Sequence, residues 1–254
     1  DEVKYFIEPG KQYTIDSITK KINSSALDSL YESSLTESLI QKGYPFEIDR
    51  FEAERSRLIN LFRNKGVYNF QQNSIQFTAA IDSSGADTKI PVVIEINDLQ
   101  KRENDTLINF QYRIHPVSKI NIYIDTPGQL GQLSSFMDSI NYNDFNLFFK
   151  GKLKYKPKAL EEVIFIKKGE AYSDLERSQT YRYISNLRNF KYPSITYNII
   201  DSNKPDLVAN IFLNPKERFS MGFDLDLSHS NIQDFGFSIG SSFGIRNIFR
   251  GAEI

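Results

Sequence analysis

An internal repeat limits what this chain can fold into more than any other feature of its sequence. Lys42-Gly43 followed by Phe46 recurs as Lys168-Gly169 followed by Tyr172, and in both places the motif separates two stretches of helical spacing. Before it, Tyr13, Ile15 and Ile18 suggest a strand, and Leu27, Leu30, Tyr31, Leu35 and Leu39 fall at helical intervals over Ala26–Ile40. The pair Ser33-Ser34 is where that helix can split. After the motif, Asp49 with Glu52 three residues on suggests an N-cap and capping box. That helix is expected to run to about Asn64, with Phe51, Leu58, Leu61 and Phe62 inward and Gly66 as its stop. Ile75, Phe77, Ala79 and Ile81 then alternate with polar or small residues. Ser83-Ser84-Gly85 turns the chain, and Ile90, Val92, Ile94 and Ile96 return. The order is β-α-α-β-β over residues 11–97.

The second copy keeps this order. Ile120, Ile122 and Ile124 form its first strand, and Pro157 opens a helix with Ala159, Leu160, Val163 and Ile164. A second helix with Leu175, Ile184 and Leu187 is expected to end at Arg188-Asn189, matching Arg63-Asn64. Strands near Ile195–Ile199 and Leu207–Leu213 follow, joined by Asn203-Lys204-Pro205-Asp206. An insertion near 126–156, rich in Gly, Ser, Asn and Phe, interrupts this copy without a pattern that assigns it. Upstream of both copies, Val3–Ile7 alternates like a final strand and stops at Pro9-Gly10. The expected division is therefore 1–9 as the last strand of a preceding unit, 10–100, 101–217 and 218–254.

The last segment has a different period. Phe219, Met221, Phe223, Leu225 and Leu227 alternate with Ser220, Gly222, Asp224, Asp226 and Ser228. Phe235, Phe237, Ile239, Phe243 and Ile245 alternate with Gly236, Ser238, Gly240, Ser242 and Gly244. Both runs approach the 9–11 residues that a tilted strand needs to cross a bilayer, with a large apolar face and a small or acidic one. A soluble amphipathic hairpin has the same pattern.

Composition removes several function classes. The 254 residues contain no cysteine, which excludes disulfides, thiolate metal sites and cysteine nucleophiles, and two histidines do not make a histidine-rich metal site. A net charge of −1 without basic blocks gives no nucleic-acid footprint. No run of 18 apolar residues supports a spanning helix. Asp1–Tyr5 lacks the basic start and apolar run of a signal peptide, so the chain is expected to be a piece of a longer mature protein. Asp226, Ser228 and His229 lie together, but neighbouring strand residues point to opposite faces and do not converge as a triad. Asp224 and Asp226 share a face and read as inward charges of a barrel strand. His115 reads as a strand-end residue. No catalytic residue, metal ligand or cofactor is expected.

These pieces resemble the BamA/TamA family of outer-membrane assembly factors, in which tandem β-α-α-β-β units called POTRA domains precede a β-barrel. The wording is similar too: Gly43-Tyr44-Pro45-Phe46, Glu54-Arg55 and Arg63-Asn64-Lys65-Gly66-Val67-Tyr68-Asn69-Phe70. Asn247-Ile248-Phe249-Arg250-Gly251-Ala252-Glu253 resembles an early-barrel stretch of the family, with Arg250 and Ala252 where glycines are common. The Arg-Asn-x-Gly-x-Tyr-x-Phe run looks closest to the lipoprotein TamL-like branch. The second copy departs from it, because Asn189-Phe190-Lys191-Tyr192 has no glycine.

The resemblance implies an α+β fold, a tandem of POTRA domains followed by the first hairpin of a transmembrane β-barrel. It places the chain at the outer membrane of a Gram-negative cell, with the POTRA domains in the periplasm. The implied function is docking of unfolded outer-membrane protein clients for insertion. Implied partners are those clients, a TamB-like periplasm-spanning protein or accessory lipoproteins, and membrane lipid around the barrel. Client strands would add to open sheet edges. The candidate edges are Ser74–Ala80 (Ser74, Ile75, Gln76, Phe77, Thr78, Ala79) and Ser194–Ile200 (Ser194, Ile195, Thr196, Tyr197, Asn198, Ile199). Gln76 and Thr78 are the expected positions for a blocking proline. The lipid-facing residues would be Phe219, Met221, Phe223, Leu225, Leu227, Phe235, Phe237, Ile239, Phe243 and Ile245. A POTRA–barrel secretion transporter for a dedicated partner and a soluble periplasmic binding module are the alternative readings. A lipase fused to such a barrel would need a Gly-x-Ser-x-Gly motif, which the sequence lacks.

Overall fold

In a computed structural model of the chain, the residues described are 10–82, 84, 87–103, 105–125, 138–201, 204–230, 233–248 and 250–251. The strand expected at Val3–Ile7, the turn residues Ser83 and Gly85, the first part of the insertion, Asn203, and Phe249, Ala252 and Glu253 lie outside them. The chain packs into two units. One comprises the described residues up to His115 together with Ala171–Asp174, and the other comprises Pro116–Glu170 and the described residues from Leu175 onward.

The first unit contains β1 (Thr14–Ile22), α1 (Ser25–Ser33), α2 (Ile48–Asn64), β2 (Ile75–Ala79) and β3 (Lys89–Ile96). Its sheet has the order β1-β3-β2, with β1 parallel and β2 antiparallel to β3. Alternation places Ile90, Val92, Ile94 and Ile96 in the core, against Leu27, Leu58 and Phe62 of the helices. The helix expected over Ala26–Ile40 is shorter. Ser33 and Ser34 turn their hydroxyls back onto the carbonyls of Leu30 and Tyr31, α1 stops, and a 3-10 turn follows at Leu35–Glu37. Such local bonds compete with helix continuation. Leu35 and Leu39 are consequently exposed, while Ile40 is buried.

α2 begins two residues earlier than the capping box at Asp49 predicts. Glu47 is the N-cap residue and makes no side-chain capping bond, and Glu52 pairs with Arg55 at 2.5 Å. Asp49 sits in the first turn, where its charge favours the helix dipole. Glu54 is fully buried, which the pattern did not indicate. Its carboxylate accepts bonds from Arg57 at 2.6 and 2.8 Å, from the Ser38 hydroxyl and from the Leu39 N–H. These bonds tie the 38–40 segment to α2, and the bonded carboxylate in turn holds the Arg57 guanidinium above its ordinary pKa. An antiparallel pair without a sequence signal, β4 (Leu99–Glu103) and β5 (Thr106–Phe110), completes the unit.

The second unit repeats this plan with β6 (Val117–Ile124), α3 (Pro157–Glu161), α4 (Asp174–Asn186), β9 (Phe190–Ile199) and β10 (Leu207–Pro215). The described part of the insertion forms β7 (Asp138–Tyr142) and β8 (Phe145–Phe149), giving a sheet of order β7-β8-β6-β10-β9. β8 runs parallel to β6 and covers the edge that the corresponding strand β1 leaves open. Every residue of β10 from Leu207 to Leu213 is buried, so this central strand is covered on both faces. Across it, Asn146 donates to Asn121 at 2.9 Å and Asn121 donates to Asn210 at 3.1 Å. On the same face Phe148, Tyr123 and Phe212 stack with ring centroids 4.9 and 5.0 Å apart. Leu175, expected in the core, is exposed on α4, while Ile184 is fully buried.

The repeat is visible in backbone bonds. Gly43 donates to the Ile15 carbonyl and Gly169 to that of Val117, both at 2.7 Å, and the two glycines have φ of 86° and 85°. The Phe46 and Tyr172 N–H groups bond Tyr13 and His115 in the same way. The helix ends correspond differently from the expected match. α2 ends two residues before Gly66, with φ of 108°, and α4 ends two residues before Arg188, with φ of 54°. Arg188 therefore occupies the left-handed position that glycine fills in the first copy, rather than matching Arg63. That conformation costs a non-glycine residue ~1–2 kcal/mol, partly offset by the freedom glycine adds to the unfolded chain. Arg188→Gly is expected to stabilise the second unit by about 0.5–1 kcal/mol, read as an increased urea midpoint with unchanged slope.

Candidate functional site: sheet edges and an amphipathic hairpin

β2 and β9 are both edge strands, each bonded on one side only. Ser74 lies just outside β2, in a 3-10 turn, with its hydroxyl 2.8 Å from the Tyr112 hydroxyl. Which backbone groups face outward follows from the register. Asn97 donates to the Ser74 carbonyl and Ala80 donates to the Pro91 carbonyl, at opposite ends of the same ladder. Antiparallel pairs alternate between bonded and non-bonded. Gln76 and Thr78 therefore bond inward to β3, and Ile75, Phe77 and Ala79 direct their N–H and C=O groups to the open edge. This corrects the expectation that a proline at Gln76 or Thr78 would block the edge. The side-chain alternation that turns Gln76 and Thr78 to solvent is a separate property from the direction of their amides.

The same reasoning orients β9. Leu207 donates to Pro116 and Lys216 donates to Asn189, so odd residues of β10 bond β6 and even residues bond β9. Asn198, Thr196 and Ser194 face Val208, Asn210 and Phe212, which leaves Ile195, Tyr197 and Ile199 with outward backbone groups. A register break near Tyr192, with φ of 46°, and Pro193 blunts the start of this edge.

Beside the start of β2 lies an open groove of about 720 Å3, lined by Arg55, Arg63, Gln71, Gln72, Asn73 and Ile75. Arg63 donates twice to the Phe70 carbonyl, at 2.8 and 3.1 Å. The Arg55 guanidinium lies 5.3 Å from the Phe77 ring centroid. The groove thus presents fixed cations and amide groups next to the outward backbone of Ile75 and Phe77. Arg55 and Arg63 were legible only as parts of a motif, because their position beside the strand needs the helix to be packed.

The final segment forms β11 (Phe219–Ser230) and β12 (Gln233–Ile245), a two-stranded antiparallel hairpin. Phe219, Met221, Phe223, Leu225, Leu227, Phe237, Ile239 and Phe243 are all exposed on one face. Ile245 pairs with Phe219 at the end of that face, and Ser241 interrupts it opposite Phe223. The side chains of Phe235 and His229 lie outside those described. On the other face each pair contains a glycine or serine: Ser220 with Gly244, Gly222 with Ser242, Asp224 with Gly240, Asp226 with Ser238, and Ser228 with Gly236. A Cβ on Gly222 or Gly244 would come within 2.7 Å of the facing serine Oγ, so the small residues let this face close up. Among the described residues there is no cluster of metal-ligating side chains.

The fold is shared with a solved structure of known type. The crystal structure of BamA from Haemophilus ducreyi lacking POTRA domains 1–3 matches with a TM-score of 0.50 at 10% identity, over 94% of this chain and 35% of that one. The fold is a tandem of POTRA-type units followed by a barrel-type hairpin. Two further neighbours are CdiB from Acinetobacter baumannii (TM-score 0.39, 10% identity, 99% of this chain and 39% of that one) and POTRA1-2 of Omp85 from Anabaena (0.40, 10%, 82% and 99%). The assignment rests on BamA alone. No family model matches the chain, and no curated protein matches it. The chain spans about a third of the BamA chain it matches. The POTRA-type units thus carry two candidate edges and the hairpin carries one largely apolar face, interrupted at Ser241.

Proposed function

We propose that this chain is the periplasmic docking part, with the first barrel strands, of an outer-membrane protein assembly factor that holds unfolded β-strand clients. The observation that carries the reading is the order of parts. Two units, each with an open edge strand, lead directly into a hairpin whose exposed apolar face suits lipid. Clients pair as added strands along Ile75, Phe77 and Ala79, or along Ile195, Tyr197 and Ile199, through backbone groups that tolerate many client sequences. The reading is non-catalytic and puts the POTRA-type units in the periplasm of a Gram-negative cell. A TamB-like protein or accessory lipoproteins as further partners, and membership of the TamL-like branch, belong to the same proposal. Secretion of a dedicated partner is the second reading, compatible with the same order of parts.

The test separates two prolines. Ala79→Pro removes an outward donor and places the ring at the open edge, so the first unit should remain folded by circular dichroism. Photo-crosslinking from the Gln76 position to an unfolded outer-membrane protein segment should fall about ten-fold, the loss expected for one backbone bond plus a blocked ladder. Thr78→Pro removes a β2–β3 bond and should destabilise the unit instead. Thr78→Ser, a side-chain swap that keeps the backbone donor, should change neither fold nor crosslinking. Ala79→Pro that is folded and crosslinks as before would remove β2 as the client site, and the matching variant Tyr197→Pro would then test β9.

A further inference from the structure

The second unit contains a cleft of about 720 Å3 where the hairpin leaves β10. Its lining includes Lys150, Lys152, Lys154, Lys216, Arg218, Arg246 and Arg250 against two acids, Asp125 and Glu217, an excess of five positive charges in a chain whose net charge is −1. Three of the cations are engaged within the fold. Lys154 pairs with Asp125 at 2.6 Å, Arg246 donates to the Glu217 carbonyl at 3.2 Å, and Arg250 donates to the Leu153 carbonyl at 2.5 Å. Lys150, Lys152, Lys216 and Arg218 have no ion pair among the described residues, and the Arg218 guanidinium lies over the Phe219 ring, 5.6 Å from its centroid. The floor is rigid. Asn247 donates to the Lys154 carbonyl, Lys156 donates to the Arg250 carbonyl, and Tyr155 is buried, its phenol pushed up to about 12 by burial and then by Asp125.

Its position is the second observation. Phe219 and Ile245, the last pair of the apolar face, immediately follow Arg218 and precede Arg246, and the Arg246 N–H bonds the Arg218 carbonyl. The cations without an ion pair thus stand at the border where an apolar, lipid-suited surface ends. In a membrane this is the level of the phosphates.

We propose that this cleft binds the phosphate of an anionic membrane lipid, anchoring the last POTRA-type unit to the inner leaflet at the foot of the hairpin. The proposal rests on β11–β12 being membrane strands. Lys152, Lys216 and Arg218 receive the phosphate, and the acyl chains lie along Phe219, Met221 and Phe243.

The chain has no tryptophan, so introduced indoles are unambiguous reporters. In maltoside micelles, Phe223→Trp reports whether the apolar face is embedded, and Ile248→Trp, in the cleft lining, reports occupancy. Adding phosphatidylglycerol to the micelles should give a saturable change at Ile248→Trp. Phosphatidylcholine, or inorganic phosphate at the same concentration, should not. Lys216→Ser with Arg218→Ser should weaken binding about 25-fold, each charge being worth about 1 kcal/mol. Both residues make their strand-junction bonds through the backbone, and Lys152→Ser with Lys216→Ser is the second pair if that variant misfolds. An equal response to inorganic phosphate overturns the lipid assignment, as does an equal response to phosphatidylcholine, an unaffected double variant, or no response at all. An exposed, red emission at Phe223→Trp overturns the membrane-strand reading itself, separately from the cleft.

Discussion

Leu58→Asp is expected to unfold the first unit and leave the second folded. Leu58 is fully buried in the core formed by Ile90, Ile94, Phe62 and Phe70, and that core is distinct from the cluster around Ile120, Ile122 and Ile211. Placing a carboxylate there costs the lost apolar burial and the desolvation of a charge with no partner, together at least ~4–5 kcal/mol. A domain of this size has ~5–15 kcal/mol in total, so little stability remains. Methyl NMR gives the check. Signals of Ile90 and Ile94 should collapse to unfolded positions, while those of Ile120, Ile122 and Ile211 keep their dispersion. A single cooperative loss of both sets would show that the repeat is not two folding units.

Gly66→Ala should be the most damaging single-methyl change in the first unit. Gly66 has φ of 108°, a conformation that L side chains rarely adopt. A Cβ there would stand 2.5 Å from Ile114 Cγ2 and 3.3 Å from Ile114 Cβ. Those atoms belong to a β-branched side chain, which is stiff about its first torsion and cannot swing away at little cost. Strain and overpacking together predict a loss of ~2–5 kcal/mol, measured as a fall in the urea midpoint. The contrast with Arg188→Gly is informative, since both residues sit two positions past their helix at positive φ, 108° for Gly66 and 54° for Arg188. Opposite signs for the two substitutions would confirm that the helix stop is a structural requirement in both.

The element order was legible because it rests on short-range periodicity. Alternation at Ile90–Ile96 and Phe219–Leu227, helical spacing in Phe51–Phe62, and the glycine stops each act over a few residues. Two copies of one local pattern then implied two units. Glu54 was not legible as a buried group, because a carboxylate enters a core only when Arg57, Ser38 and Leu39 converge on it from separate segments. The strands β7 and β8 were not legible either. Short and rich in Asn and Phe, they become strands by adding to β6, where Asn146 and Phe148 meet Asn121 and Tyr123 across the ladder. For the edges, sequence alternation determined which side chains point to solvent, but the direction of the amides depends on register with β3 and β10. That is why Ala79, and not Gln76, is the residue whose N–H faces the open edge. The basic cleft brings the lysine-rich stretch Lys150–Lys154 together with Lys216, Arg218, Arg246 and Arg250, cations that lie far apart along the chain. Sequence alone determined the units, the breakers and the two-faced hairpin, because those follow from neighbouring residues. Tertiary structure decided the open backbone edges, the buried carboxylate and the concentration of positive charge at the hairpin's foot, because each requires distant segments to be held together.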